Sequence, residues 1–90
     1  MDNKTLEYMG ERVDKARKLG KKIDGVNKQI ESLNTGEPIG ICFVNPYNST
    51  QLGKYYNTTP SLAILSQIQN TAINTLTAYR DSLQHELDEL

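Results

Sequence analysis

Few side chains in this chain could do chemistry. Among its 90 residues Cys42 is the only cysteine and His85 the only histidine. To act as nucleophile and base they would have to touch, with a carboxylate such as Glu86 orienting the imidazole. The elements described below put Cys42 past one end of a long hairpin and His85 near the other, so the two could meet only across subunits. Cys42 alternates with Ile41 and Phe43 in an apolar run, the setting of an inert, buried thiol. His85, between Gln84 and Glu86 at the edge of an apolar stripe, reads as a solvated surface histidine. One cysteine cannot bridge within its own chain, and a zinc module needs more ligands than are present. The sequence therefore offers no catalytic constellation, no metal site and no cofactor site, and reads as a protein that is not an enzyme.

The richest set of hydrogen-bonding and stacking groups lies mid-chain, in residues 45–59. Tyr47, Asn48, Lys54, Tyr55, Tyr56 and Asn57 form the candidate ligand set. Tyrosine stacks on a flat ring, asparagine bonds its edge, and Lys54 can meet a phosphate or carboxylate. Gly53-Lys54 is followed by Tyr55 rather than Ser or Thr, and no glycine stands five residues before Gly53, so the phosphate-loop motif fails. Asn48-Ser49-Thr50 and Asn57-Thr58-Thr59 match the glycosylation pattern. With no apolar stretch behind Met1-Asp2-Asn3-Lys4 to act as an export signal, they read as turn and cap chemistry in a cytoplasmic protein.

A third candidate is the basic segment Lys15–Lys22, in which Arg17, Lys18, Lys21 and Lys22 could neutralise phosphates along one helix face. No aromatic residue is interleaved with it, and Asp14 and Asp24 bracket it. A solvated face is the better reading, with nucleic acid the weaker partner.

These groups must be positioned by three zones. Residues 1–34 carry eight basic and six acidic groups, residues 35–59 only Glu37 and Lys54, and residues 60–90 Arg80 against Asp81, Glu86, Asp88 and Glu89. In the first zone Leu6, Met9, Val13, Ala16, Leu19, Ile23, Val26, Ile30 and Leu33 recur every three or four residues, which predicts a helix over 3–34. Two consecutive three-residue steps around Ala16 make a local phase slip. Gly10, Gly20 and Gly25 each cost roughly 1 kcal/mol relative to Ala, so the helix is open to a break near Gly20 or Gly25. Asn34-Thr35-Gly36, then Pro38, is a stop signal. In the third zone Thr59 can cap and Pro60 can take the first position of a helix over 60–88. Its stripe is Ile68, Ala72, Leu76, Tyr79, Leu83, Leu87 and Leu90, widened by Leu62, Ile64, Leu65 and Ile73. Between the helices, in the segment 37–58, Ile39–Val44 reads as a strand with Ile39, Ile41 and Phe43 on one face. A weaker strand at Gln51–Tyr56 would complete a hairpin.

The expected fold is mainly α, with one domain spanning 1–90. Two long helices form an antiparallel hairpin with a short β-hairpin or strand-loop insertion between them, the whole self-associating into a helical bundle. Folding back sets Arg12–Lys18 near Asp81–Glu89, an opposite-charge match. A two-helix hairpin has a single seam and cannot enclose a core, so Ile68, Ala72, Leu76, Tyr79, Leu83 and Leu87 are expected at a homo-oligomer interface, a dimer by default. No apolar run approaches the roughly 20 residues of a membrane span. The leading functional reading is an interaction protein that binds another protein through its β-loop end. The alternative is a binder that sequesters a nucleotide-like ligand where loops 45–59 of neighbouring subunits meet. An Asn- and Thr-rich chain of this build would suit a phage accessory or anti-defence protein.

Overall fold

The computed structural model describes residues 3–53 and 61–90, in the order α1 (Asn3–Leu33), β1 (Gly40–Val44), β2 (Ser49–Gly53) and α2 (Leu62–Asp88). The two long helices pack antiparallel, with a two-stranded antiparallel hairpin between them in sequence. Leu19, Ile23 and Val26 of α1 and Leu83 of α2 form the buried seam, and Ile30, Leu76, Leu87 and Leu90 pack around it.

α1 is unbroken through Gly10, Gly20 and Gly25. The balance of magnitudes explains why. Leu19, Ile23 and Val26 are withdrawn to 5–8% exposure around Gly20 and Gly25. Burying each such side chain stabilises by about 1.5–3 kcal/mol, against roughly 1 kcal/mol lost per glycine. The stop signal acts where the sequence places it. The Asn34 N–H donates to the Ile30 and Glu31 carbonyls at 3.1 Å, and the Thr35 hydroxyl donates to the Ser32 carbonyl at 2.9 Å. Gly36 turns the chain away at φ +148°, a conformation that suits glycine.

A partner that the local sequence does not announce completes this helix end. The Gln69 side-chain amide, on α2, donates to the Leu33 carbonyl and, at 2.9 Å, to the Gly36 carbonyl. Carbonyls of the last helical turn have no acceptor role inside their own helix, so Gln69 acts as a cap supplied from another element. A second polar bridge lies further along, where the Arg80 guanidinium donates to Asn27 Oδ1 at 3.2 Å.

At the start of α2, Ser61 occupies the N-cap position without a side-chain capping bond. The expected cap at Thr59 and the first-turn Pro60 lie outside the described residues. Three threonines of α2 turn back on their own helix. Thr71, Thr75 and Thr77 donate to the carbonyls of Gln67, Thr71 and Ile73 at 2.8–2.9 Å, so these hydroxyls are satisfied locally.

In the hairpin Gly40 faces Gly53, Ile41 faces Leu52, Cys42 faces Gln51, Phe43 faces Thr50 and Val44 faces Ser49. The connection Asn45-Pro46-Tyr47-Asn48 is closed by the Asn45 N–H donating to the Asn48 carbonyl at 2.9 Å. Asn45 Oδ1 accepts from the Tyr47 and Asn48 amides at 2.9 and 3.0 Å, while its Nδ2 donates to Asn48 Oδ1 at 2.7 Å. Asparagine first and proline second is the composition of a type I turn, and no described non-glycine residue has positive φ. The weaker strand thus begins at Ser49, two residues before its expected start, because the Asn45 side chain makes the turn tight.

The molecule is a thin rod. It measures 68 × 27 × 15 Å with a radius of gyration of 19.3 Å, where a compact chain of this length has about 12 Å. Its accessible surface is 7260 Å², against about 5,300 Å² for a compact monomer of this mass.

Candidate functional site

The β-hairpin end of the rod carries one of two groups of exposed apolar side chains among the described residues, the other being Leu6, Tyr8, Met9 and Val13 near the start of α1. Ile39 is 59% exposed, Phe43 52%, Val44 79% and Tyr47 95%. The strand register explains their placement. Ile41 and Phe43 share one face, and Phe43 lines a shallow groove with Gln67, Ile68, Thr71 and Ala72 of α2. Gly40, Cys42 and Val44 project from the opposite face. Cys42 is exposed, which corrects its expected burial. An apolar neighbourhood in sequence predicts burial only where both faces of the sheet are covered, and here α2 lies against one. No charged residue occurs from Pro38 to Gly53, so the two strands and their turn carry hydrogen-bonding and apolar groups alone.

Of the expected ligand set, Tyr47 is at the tip of the turn and Asn48 beside it, its side chain engaged by Asn45. Lys54, Tyr55, Tyr56 and Asn57 lie outside the described residues. The basic group, Arg17, Lys18, Lys21 and Lys22, is solvent-exposed along the middle of α1.

The six residues expected at an oligomer interface divide in two. Leu83 is buried, and Leu76 and Leu87 pack with it against α1 within the one chain. Ile68 and Ala72 are half-buried near the hairpin, and Tyr79 is 48% exposed. The α1 stripe is as long as the α2 stripe, and most of the two is used to close a single chain. At the far end Leu6, Met9 and Val13 are about half exposed. The phase slip at Ala16 swings them off the seam. Met9, Val13 and Ala16 form an open cleft of about 380 Å³ with Arg12, Leu87 and Leu90.

At that cleft Arg12 lies beside Leu87 and Leu90, so the part of α1 with the basic residues meets the C-terminal part of α2. Among the described residues, however, no ion pair crosses between them. Arg12 lies over the Tyr8 ring, 5.7 Å from its centroid. Asp81 pairs with Arg80 at 3.2 Å, and the Glu89 carboxylate stands 3.0 Å from His85 Nε2, so both contacts stay at the C-terminal end of the chain. These exposed pairs lie too near the water to contribute much.

Cys42 and His85 are not brought together. Phe43, beside Cys42, faces Ile68, and the helix from Ile68 to His85 is about 25 Å long. Among the described residues no group of three or more His, Cys, Asp or Glu is placed to hold a metal ion, and no helix is long and apolar enough to cross a membrane. Gln69 as a cap and Asn45 as the turn-maker were missed as positioning residues. Asparagine before proline is a readable turn signal, whereas nothing local marks Gln69. No protein-family model, curated protein or solved structure matches this chain.

Proposed function

We propose that this chain is a small non-enzymatic interaction protein, a helical hairpin that self-associates and works by presenting its β-hairpin end to other protein surface. One observation carries the reading: within the uncharged stretch Pro38–Gly53, Ile39, Phe43, Val44 and Tyr47 are all at least half exposed. Exposed apolar side chains gathered at one end of a molecule mark a protein-interaction surface more often than singly scattered ones do. The rod also exposes roughly 2,000 Å² beyond a compact chain of its mass, whereas a stable interface takes about 800 Å² from each partner. The surface to be covered exceeds what one partner needs.

Light scattering on the purified chain at micromolar concentration tests this. A mass of two chains or more, with helical circular dichroism intact, supports it; one chain at every concentration would refute the self-association. Thermal unfolding across a panel of nucleotides addresses the sequestration alternative, for which a large upward shift with one compound is the signature.

A further inference from the structure

We infer that the outer edge of β1 is a docking strand for β1 of a second copy, the two pairing antiparallel about a two-fold axis at Cys42. The inference rests on the self-association proposed above and names the surface that performs it.

The ladder geometry identifies the open groups. The Asn45 N–H donates to the Asn48 carbonyl, so hydrogen-bonded pairs alternate inward from there, at Phe43–Thr50 and Ile41–Leu52. Gly40, Cys42 and Val44 fall in the other class, whose N–H and C=O groups point away from the neighbouring strand. On β1 they form a row facing outward, with no partner among the described residues. Edge strands that stay single are commonly protected by lysine, proline or a bulge. β1 has none of these between Gly40 and Val44.

The occupant follows from self-complementarity. With Cys42 opposite Cys42 of the second copy, Gly40 of each strand faces Val44 of the other, and Ile41 of each faces Phe43. The isopropyl group of Val44 then covers a position where glycine leaves room. Phe43, 52% exposed in one chain, gains an apolar neighbour in the closer, non-hydrogen-bonded class of pair. A two-fold contact sets the residue on its axis against its own image, so a charge there would repel itself; this strand has none. The pairing joins two hairpins into a four-stranded sheet and draws on the surplus surface of the rod.

Cys42 is also the reporter. In this register the two Cα atoms stand about 5.5 Å apart, inside the roughly 4.4–6.8 Å span of a disulfide. Full-length protein at micromolar concentration is treated with diamide, and the rate of disulfide-linked dimer is compared with that of a Cys42→Ser/Tyr47→Cys variant. That variant moves the thiol to the turn tip, where Tyr47 is 95% exposed, off the axis. We expect the natural thiol to cross-link at least about tenfold faster, as an effective-concentration advantage requires. Cys42→Lys, read by light scattering with helical content monitored, should raise the dimer dissociation constant at least about tenfold by opposing like charges. Should Cys42→Lys loosen the hairpin itself, Val44→Lys puts the charge at the strand end and asks the same question. A dimer insensitive to both lysines, or equal cross-linking rates, would overturn edge pairing while leaving self-association standing. A single-chain mass for the natural protein would overturn both.

Discussion

The helical pair and the β-hairpin solve the same problem of burial with very different resources. The helices bring long stripes, and between them withdraw Leu19, Ile23, Val26 and Leu83 almost completely from water. The hairpin has five-residue strands, one neighbouring helix, and a single buried residue, Gly53. Its order comes from backbone geometry: a turn organised by one asparagine, and a glycine at a close crossing. Side-chain packing defines one region and main-chain fit the other. The two should therefore fail in response to different substitutions.

Leu83→Ala should be the most damaging. Removing a buried leucine costs about 2–5 kcal/mol, and here it opens the seam at its centre, so the helical melting temperature should fall sharply by circular dichroism. A melting point unchanged within error would mean the helices are not held by this seam. Gly53→Ala comes next and should act on the other region alone. A methyl at Gly53 would stand 2.8 Å from the Ile39 carbonyl oxygen and 2.9 Å from the Gly40 Cα. Neither backbone atom can step aside cheaply, and the strain is on the order of 1–3 kcal/mol. Hydrogen exchange should show lost protection in 40–53 with α1 and the second half of α2 largely spared; uniform loss would erase the division drawn here.

Asn45→Ala removes the acceptor for two turn amides and should cost about 1 kcal/mol, again read in hairpin exchange rates. The mildest change runs in the opposite direction. A methyl at Gly20 or Gly25 would meet nothing within 4 Å, so each Gly→Ala change should stabilise by roughly 0.5–1 kcal/mol in denaturant titration. Destabilisation at either site would show that something outside the chain approaches α1 there.

The same division decides what could be read from the sequence. The helices were legible because a repeat of three or four residues over thirty positions has only one structural interpretation. So was the shared face of Ile41 and Phe43, which follows from strand periodicity. The exposure of Cys42 was not, since alternation assigns a residue to a face without saying which face is covered. Gln69 was illegible for a different reason: its partners, Leu33 and Gly36, are more than thirty residues away and exist as acceptors only once the helices have folded back. The placement of Leu76, Leu83 and Leu87 shows the limit of stripe-reading. An apolar stripe states that burial is required and is silent on whether the cover comes from the same chain. Within the candidate site, Tyr47 and Asn48 could be placed at the turn from Asn45-Pro46, but not the engagement of the Asn48 side chain by Asn45.

The slender outline has a hydrodynamic consequence. With a radius of gyration of 19.3 Å, one copy already has the dimension that a compact chain reaches at about 300 residues. On a gel-filtration column calibrated with spherical standards, even a solitary rod would elute early and mimic an assembly. Joined end to end through their tips, two rods would migrate as something far larger than a dimer.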